Sequence, residues 1–202
     1  MNPLEAAVTK YIEEHQSEMY SLLAKLVSFD TQNFISYGRE KECQQYIASL
    51  YKELGLETDL FSPADFPGIK ENPDYLEGRG TENRPNVVGV YKAKGETERI
   101  MLAAHTDTMP VGDPEKWTVP PFGGEIRDGK MFGLGIGDNK FGLAANRSSR
   151  VCRIAVSQNH QRITGLKFEC VPRFFRQYDL SSFADSYRAK NVLIFRTDRN
   201  PL

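Results

Sequence analysis

An α/β fold is predicted by the sequence, because segments with helical periodicity alternate along the chain with short apolar segments typical of strands. The longest helical pattern covers residues 3–28, and the clearest strand runs from Arg99 to Ala104. The chain has 202 residues, of which 40% are hydrophobic and 26% charged. These values fit one globular domain with a sizeable core, or one domain and part of another.

Two amphipathic helices are predicted near the start of the chain. Residues 3–28 and 40–54 carry apolar side chains at spacings of three and four, and Gly55 is a typical residue to end the second helix. The apolar stripe of the first consists of Leu4, Val8, Tyr11, Ile12, Met19, Leu22, Leu23, Leu26 and Val27. The stripe of the second consists of Cys43, Tyr46, Ile47, Leu50 and Tyr51.

The middle of the chain predicts three strands and one long loop. Residues 56–61, 86–91 and 99–104 combine apolar and β-branched residues in short runs bounded by turn residues. Between the first two strands, residues 62–85 contain four prolines and several glycines. This composition predicts a long surface excursion, and loops of that length tend to be functional or mobile.

The rest of the chain predicts a hairpin, a helix and two further strands. Residues 125–132 are typical of a hairpin that turns at Asp128-Gly129. A helix is plausible from Gly142 to about residue 160, and residues 166–171 and 191–195 have the composition of strands.

The charge balance changes near residue 145. Residues 1–145 carry 15 Lys and Arg against 23 Asp and Glu, whereas residues 146–202 carry 11 against 4. We therefore divide the chain into residues 1–145 and a divergent continuation of the same domain, residues 146–202. Such a split can mark a nucleic-acid or membrane tail. The net charge of −1, and arginines that form no known aromatic-basic stacking motif, argue against nucleic acid as a partner.

Cysteine usage and the N-terminal sequence give an expected location. Cys43, Cys152 and Cys170 are odd in number and widely spaced, so they predict neither a disulfide framework nor a cysteine zinc site. The chain begins with no signal-peptide pattern, and no apolar run approaches the length of a membrane span. We expect a cytoplasmic protein without a membrane partner, and the sequence indicates no oligomeric state.

Candidate metal ligands follow the strand that ends at Ala104. His105 and Asp107 are two residues apart, a spacing that places side chains on the same side of an extended chain. A carboxylate beside an imidazole fixes the ring tautomer, as in many metal-binding histidines. Asp138 lies within a glycine-rich turn. An imidazole with carboxylates suits zinc, cobalt or manganese better than calcium.

Two other interpretations of these residues are weaker. The Gly133-x-Gly-x-Gly pattern could cradle a phosphate, but Asp138 would repel the anion and the G-x-G-x-x-G spacing is absent. His105, Asp107 and Asp138 could also be a satisfied strand-end histidine and two solvated loop acids.

Three separate motifs stand between residues 102 and 145. They are Leu102-Ala-Ala-His105-Thr-Asp107-Thr-Met-Pro110, Trp117 with Pro120-Pro121-Phe122, and Asp128-Gly-Lys-Met-Phe-Gly133-Leu-Gly-Ile-Gly-Asp138-Asn-Lys140-Phe-Gly142-Leu-Ala-Ala145. These motifs resemble those of the di-zinc amidohydrolases and metallopeptidases, the family of aminoacylase, acetylornithine deacetylase, succinyl-diaminopimelate desuccinylase and glutamate carboxypeptidase. Their order and spacing agree with that family, and the resemblance extends from about Leu22 to Ala145.

The resemblance implies a mixed sheet flanked by helices on both faces, the catalytic domain of a zinc exopeptidase, here incomplete and without the lid domain of longer relatives. It also implies two Zn²⁺ ions per site. His105 would bind one ion, Asp138 would bridge both, and Asp107 would be the catalytic-site acid that supports His105. The implied reaction is hydrolysis of an amide bond in an N-acyl amino acid or a peptide, a small-molecule substrate.

The chain also departs from that family. Leu134, Asn139 and Phe141 replace the usual Arg, Met and Gly, and Phe141 is expected to crowd the turn beside Asp138. The adjacent glutamates that relatives carry after the next strand are missing, because no Glu follows Glu169. We therefore expect a truncated or degenerate member with impaired activity.

Two hypotheses follow from these departures. Residues 146–202 would reflect a frame slip or a decayed gene copy, and sequencing the genomic locus tests this: an open frame with no Glu-Glu codons in another frame excludes the slip. The alternative function is an inactive fragment or pseudoenzyme that acts, if at all, as a binding protein.

Overall fold

The described part of the chain in this computed structural model comprises residues 3–73, 75, 77–91, 100–145 and 166–170. Helices and strands mix along it as the sequence predicts, so the α/β class is confirmed. The helices are α1 (Pro3–Glu14), α2 (Gln16–Ser28) and α3 (Lys41–Glu53). The strands are β1 (Glu57–Phe61), β2 (Asn86–Val90), β3 (Ile100–Ala104), β4 (Glu125–Arg127), β5 (Lys130–Phe132) and β6 (Leu166–Cys170).

The single helix predicted over residues 3–28 is wrong, because the helix breaks at His15. The backbone of His15 leaves the helical region, with φ −114° and ψ 15°. Its ring instead stacks on Tyr11, with 3.9 Å between ring centroids, and its Nδ1 lies 2.8 Å from the Tyr11 carbonyl oxygen. These contacts at a spacing of four residues accompany the break between α1 and α2.

Among the side chains that the structure describes, the buried part of that predicted apolar stripe is its second half. In α2, four consecutive stripe residues are buried: Leu22, Leu23, Leu26 and Val27. Ile12 of α1 is 41% exposed. The core therefore begins at α2, and α3 packs beside it through Cys43, Ile47 and Tyr51. Gly55 follows the end of α3 with φ +68°, in the left-handed conformation that glycine adopts freely.

Four strands form one mixed sheet in the order β1-β2-β6-β3. β1 pairs with β2 and β2 pairs with β6 in antiparallel fashion, whereas β3 pairs with β6 in parallel. The register places Val88 opposite Glu169, and Ala103 opposite the same residue on the other side. Glu169 thus lies within strand β6, as its alternation with neighbouring apolar residues predicts.

The hairpin predicted over residues 125–132 is also present. β4 and β5 pair in antiparallel fashion with Arg127 opposite Lys130. Both turn residues have positive φ, 51° at Asp128 and 70° at Gly129, as a type I′ hairpin turn requires.

Cys43 illustrates how tightly the α3 side of the core is closed. Its side chain has no exposed surface. Burial raises the pKa of its thiol to about 12, because a thiolate would lose its hydration there. Since only the thiolate is nucleophilic, the thiol is chemically inert in the folded chain.

We expect Cys43 to react with iodoacetamide at about pH 8 at least roughly a hundredfold more slowly in the folded chain than in concentrated urea. Mass spectrometry of the peptide that contains Cys43 measures both rates and separates this thiol from the other cysteines. Equal rates in the two conditions would contradict the buried position.

Some sequence predictions lie outside the described residues. Residues 141–145 are helical, but the remainder of the predicted helix to residue 160, the strand at 191–195 and the side chains of Cys152 and Cys170 cannot be compared. The division at residue 145 stays a prediction. Among the described segments, none of the helices is both long and apolar enough to span a bilayer.

Candidate metal centre

His105 and Asp107 lie in the extended segment that continues β3. His105 Nδ1 is 3.2 Å from Asp107 Oδ1 and 3.1 Å from the Asp107 main-chain oxygen. The intervening Thr106 is fully buried, and its carbonyl oxygen accepts a 2.6 Å hydrogen bond from Thr31 Oγ1. The segment is therefore anchored between the two candidate residues, and their spacing brings them into contact as the sequence predicts.

Asp138 approaches the same histidine from a second segment. Its Oδ1 lies 3.0 Å from His105 Nε2, on the side of the ring opposite Asp107. The side chains differ in exposure, at 15% for His105, 5% for Asp107 and 65% for Asp138. The buried Asp107 thus contacts the ring at Nδ1, while the exposed Asp138 contacts it at Nε2 on the surface side.

Glycine allows the Asp138 turn to pass close to the Thr108 side chain. Gly135 has φ +78°, and a Cβ atom at this position would lie 2.3 Å from Thr108 Cγ2. The turn that follows, residues Ile136–Lys140, includes extended backbone at Asp138 with φ −139° and ψ 87°. Glycine is needed at position 135 so that the turn can bring Asp138 to His105.

A buried lysine fixes the far end of the same turn. Lys140 has no exposed surface, and its Nζ donates a 3.0 Å hydrogen bond to the carbonyl oxygen of Phe29, the residue that caps α2. Phe141, expected to crowd the turn, does not do so. Its side chain is 52% exposed, and its φ of −62° is regular helical backbone that needs no glycine.

The neighbouring acids raise the pKa of His105. Burial alone would lower it, but the hydrogen bonds and negative charge of Asp107, with a smaller contribution from Asp138, raise it above the ordinary value of histidine. The same two carboxylates would favour a cation held at this position.

The donor atoms suit a metal ion in part. An imidazole nitrogen and a carboxylate oxygen are zinc ligands, and two donors sharing a tetrahedral zinc stand roughly 3.3 Å apart, given bond lengths of about 2.0–2.1 Å. The 3.0 Å between His105 Nε2 and Asp138 Oδ1 is close to that value. Across the described ranges, however, no group of three or more His, Cys, Asp or Glu residues is placed to hold an ion.

Two contacts that support this centre have no local sign in the sequence. Asn33 Nδ2 donates to Asp107 Oδ2 at 3.1 Å, and Gln44 Nε2 donates to the Thr106 hydroxyl at 3.2 Å. Both partners lie more than 60 residues away along the chain. Helical periodicity does not single out Gln44, a polar residue that directly follows Cys43 of the apolar stripe.

A buried ion pair lies beside the loop that carries Asn33. Arg84 Nη2 is 2.6 Å from Glu40 Oε1, and both side chains have no exposed surface. Arg84 ends the predicted surface excursion of residues 62–85, so this excursion is anchored in the interior at its last turn. The charge of Arg84 or Glu40 does not predict a buried position, because Arg and Glu are rarely buried unless they are paired.

A family model matches the segment that contains all three candidate residues. Residues 101–147 match Peptidase family M20/M25/M40. Succinyl-diaminopimelate desuccinylase of Dechloromonas aromatica is 38% identical over 79 residues, which are 39% of this chain and 21% of that enzyme. A second such enzyme, from Ruegeria, is 44% identical over 61 residues, 30% of this chain and 15% of that enzyme. The chain thus matches less than a quarter of the length of these two relatives.

Solved structures agree on the fold. Human carnosine dipeptidase 1 superposes with a TM-score of 0.65 at 18% identity, over 83% of this chain and 34% of that one. A dipeptidase from Saccharomyces cerevisiae gives 0.67 at 14% identity, over 93% and 38%. A metallo-carboxypeptidase of family M20 from Sulfolobus solfataricus gives 0.61 at 16% identity, over 86% and 35%. These likenesses show that the chain shares the fold of part of each of these three proteins.

Proposed function

We propose, from the premise that this chain carries the N-terminal part of a Peptidase family M20/M25/M40 catalytic domain, that its site serves metal-dependent hydrolysis of amide bonds. The observation that carries the proposal is the contact of His105 with Asp107 on one side and Asp138 on the other. The substrate class is an N-acyl amino acid or a small peptide, by similarity to the desuccinylases and dipeptidases.

Each residue has a distinct role in this proposal. His105 Nε2 and the Asp138 carboxylate bind the metal, and Asp107 orients His105 from behind through Nδ1. Zinc bound there would polarise the substrate carbonyl group and activate water. The proposal includes zinc as the metal, with cobalt or manganese as substitutes, and two ions per site. It also includes a cytoplasmic location.

A second candidate function is binding without catalysis, by an inactive fragment or pseudoenzyme. One observation favours it: within the segments that the structure describes, no group of three or more metal-binding side chains is assembled. Two ligands rarely bind an ion tightly enough for catalysis.

Zinc titration of the full chain by calorimetry, combined with an assay on N-acetyl and N-succinyl amino acids and on dipeptides, separates these functions. We expect His105→Gln and Asp138→Asn to weaken zinc binding at least about tenfold, because each removes a ligand atom. Asp128→Asn is the matched control, since Asp128 is an exposed acid at the tip of the β4–β5 turn.

Zinc uptake that depends on both ligand residues, together with turnover, would exclude the inactive fragment. Absence of zinc uptake by the unmodified chain would contradict the hydrolase. Zinc binding that is equally weakened by Asp128→Asn would show that the ion binds acids non-specifically.

A further inference from the structure

Asn33 contacts the buried side of the candidate centre. Its Nδ2 lies 3.1 Å from Asp107 Oδ2, and Asp107 presents its other oxygen, Oδ1, to His105 Nδ1 at 3.2 Å. The two carboxylate oxygens therefore face different groups. His105 Nδ1 also lies 3.1 Å from the Asp107 main-chain oxygen, so the carboxylate and this oxygen together face the Nδ1–H. Asp107 is 4% exposed, so water does not replace these donors easily.

Backbone contacts fix the position of Asn33 relative to Asp107. The Asn33 N–H donates to the Thr108 carbonyl oxygen at 2.9 Å, and Gln32 forms a parallel bridge with Thr108. The segment before α3 is thus tied to the residue that directly follows Asp107. A movement of one segment would move the other.

A second hydrogen bond fixes the orientation of the Asn33 amide. Its Oδ1 accepts from the Ile35 N–H at 3.0 Å. Because a backbone N–H can only donate, the oxygen of the amide must face Ile35, and the NH₂ group must face Asp107. The donor is therefore directed at the carboxylate by the local turn, and its orientation does not depend on Asp107.

The amide also differs from a cation in its effect on the centre. Arg39, in the same loop, forms an ion pair with Asp30 and compensates its charge. Asn33 holds Asp107 through a neutral donor, which stabilises the carboxylate charge less than a cation would, so more of that charge remains available to His105. This distinction matters because a neutralised acid would hold the Nδ1–H proton less strongly.

We propose that Asn33 is a positioning residue for the metal centre, which fixes the Asp107 carboxylate so that His105 keeps its proton on Nδ1 and presents Nε2 to the ion. The inference rests on the proposed function for its metal ligands. It adds a residue outside the segment that matches the family model, residues 101–147. Asn33 acts through Asp107 and does not touch the ion.

Two substitutions separate this role from a purely structural one. Asn33→Asp keeps an oxygen for the Ile35 N–H but removes the donor to Asp107 and opposes it with a like charge. Asn33→Ala removes both contacts. A structural role confined to the Ile35 turn predicts that Asn33→Asp behaves as the unmodified chain, whereas positioning of Asp107 predicts that both variants are impaired.

The matched control is Asn83→Asp, which makes the same chemical change in another loop. Asn83 Oδ1 accepts from Lys41 Nζ at 3.1 Å on the surface, and a carboxylate can accept the same bond. This variant measures the effect of one added negative charge on the chain.

Two measurements test the proposal on the full chain. Nitrogen-15 NMR of the metal-free protein, at one pH where the imidazole is neutral, reports which ring nitrogen of His105 carries the proton, with His105→Gln used for assignment. For NMR, all variants are compared in an Asp138→Ala background, which removes the carboxylate that lies 3.0 Å from Nε2 and competes for the same proton. Zinc calorimetry reports affinity. We expect both Asn33 variants to lower the Nδ1–H fraction and to weaken zinc binding about 10- to 100-fold, as substitutions behind a ligand typically do. Asn83→Asp should change neither.

An unchanged tautomer in Asn33→Asp would overturn the proposal, as would an unchanged zinc affinity in that variant. If the unmodified chain takes up no zinc, the proposed hydrolase fails, and the NMR measurement on the metal-free chain still decides whether Asn33 positions His105 through Asp107. The two failures are therefore distinguishable.

Discussion

Arg84→Met is expected to lower the free energy of unfolding by about 3–5 kcal/mol, because it leaves the charge of Glu40 buried without its partner. Arg84 Nε lies 3.0 and 3.1 Å from the two Glu40 oxygens, and Nη2 lies 2.6 Å from one of them. Both side chains are fully buried. Burial raises the pKa of Glu40 even with Arg84 present to lower it, so removing Arg84 favours proton uptake by Glu40.

Arg39→Met provides a matched control in the neighbouring loop. Arg39 also pairs with a carboxylate, that of Asp30, but its side chain is 51% exposed. Because solvent screens an exposed pair of this kind, this variant should unfold at nearly the same urea concentration as the unmodified chain. Urea unfolding followed by circular dichroism measures both. Equal destabilisation of the two variants would contradict a special role of the buried pair.

The second large effect is expected at Gly135. Gly135→Ala should destabilise the fold by about 2–4 kcal/mol, because it adds the cost of a left-handed non-glycine residue to that of overpacking. The new Cβ would lie 2.3 Å from Thr108 Cγ2, and Thr108 is only 4% exposed and cannot move into solvent. The turn must shift, so zinc binding through Asp138 is expected to weaken as well.

Gly137→Ala is the control within the same turn. A Cβ there meets no atom within 4 Å, and the residue does not have a left-handed φ. Alanine should therefore be tolerated at this position with little change in stability. Urea unfolding and zinc calorimetry of both variants form the test, and comparable losses in the two would mean that the turn simply requires glycine for flexibility.

Elements governed by local periodicity are those that the sequence predicts well. The helix α3, the strands β2 and β3, and the turn at Asp128 follow from apolar spacing and from turn residues within a few positions. The contact between His105 and Asp107 follows from their spacing on an extended chain.

Features that depend on distant partners could not be predicted in this way. Asn33 meets Asp107 across 74 positions, and Glu40 meets Arg84 across 44. Nothing local distinguishes these residues from ordinary polar loop residues. The apolar spacing also fails to predict the break at His15, because it continues through this residue. The stacking of His15 on Tyr11 is visible only in the structure.

The strand order has a consequence for the order in which the chain folds. β6 lies between β2 and β3, although it follows both of them along the sequence. Until residues 166–170 are synthesised and inserted, β2 and β3 each present an open edge towards the gap, and open edges pair readily with other chains. The segment that carries His105 is therefore completed by a long-range event, slow compared with helix formation, and the nascent chain is vulnerable to aggregation until β6 inserts.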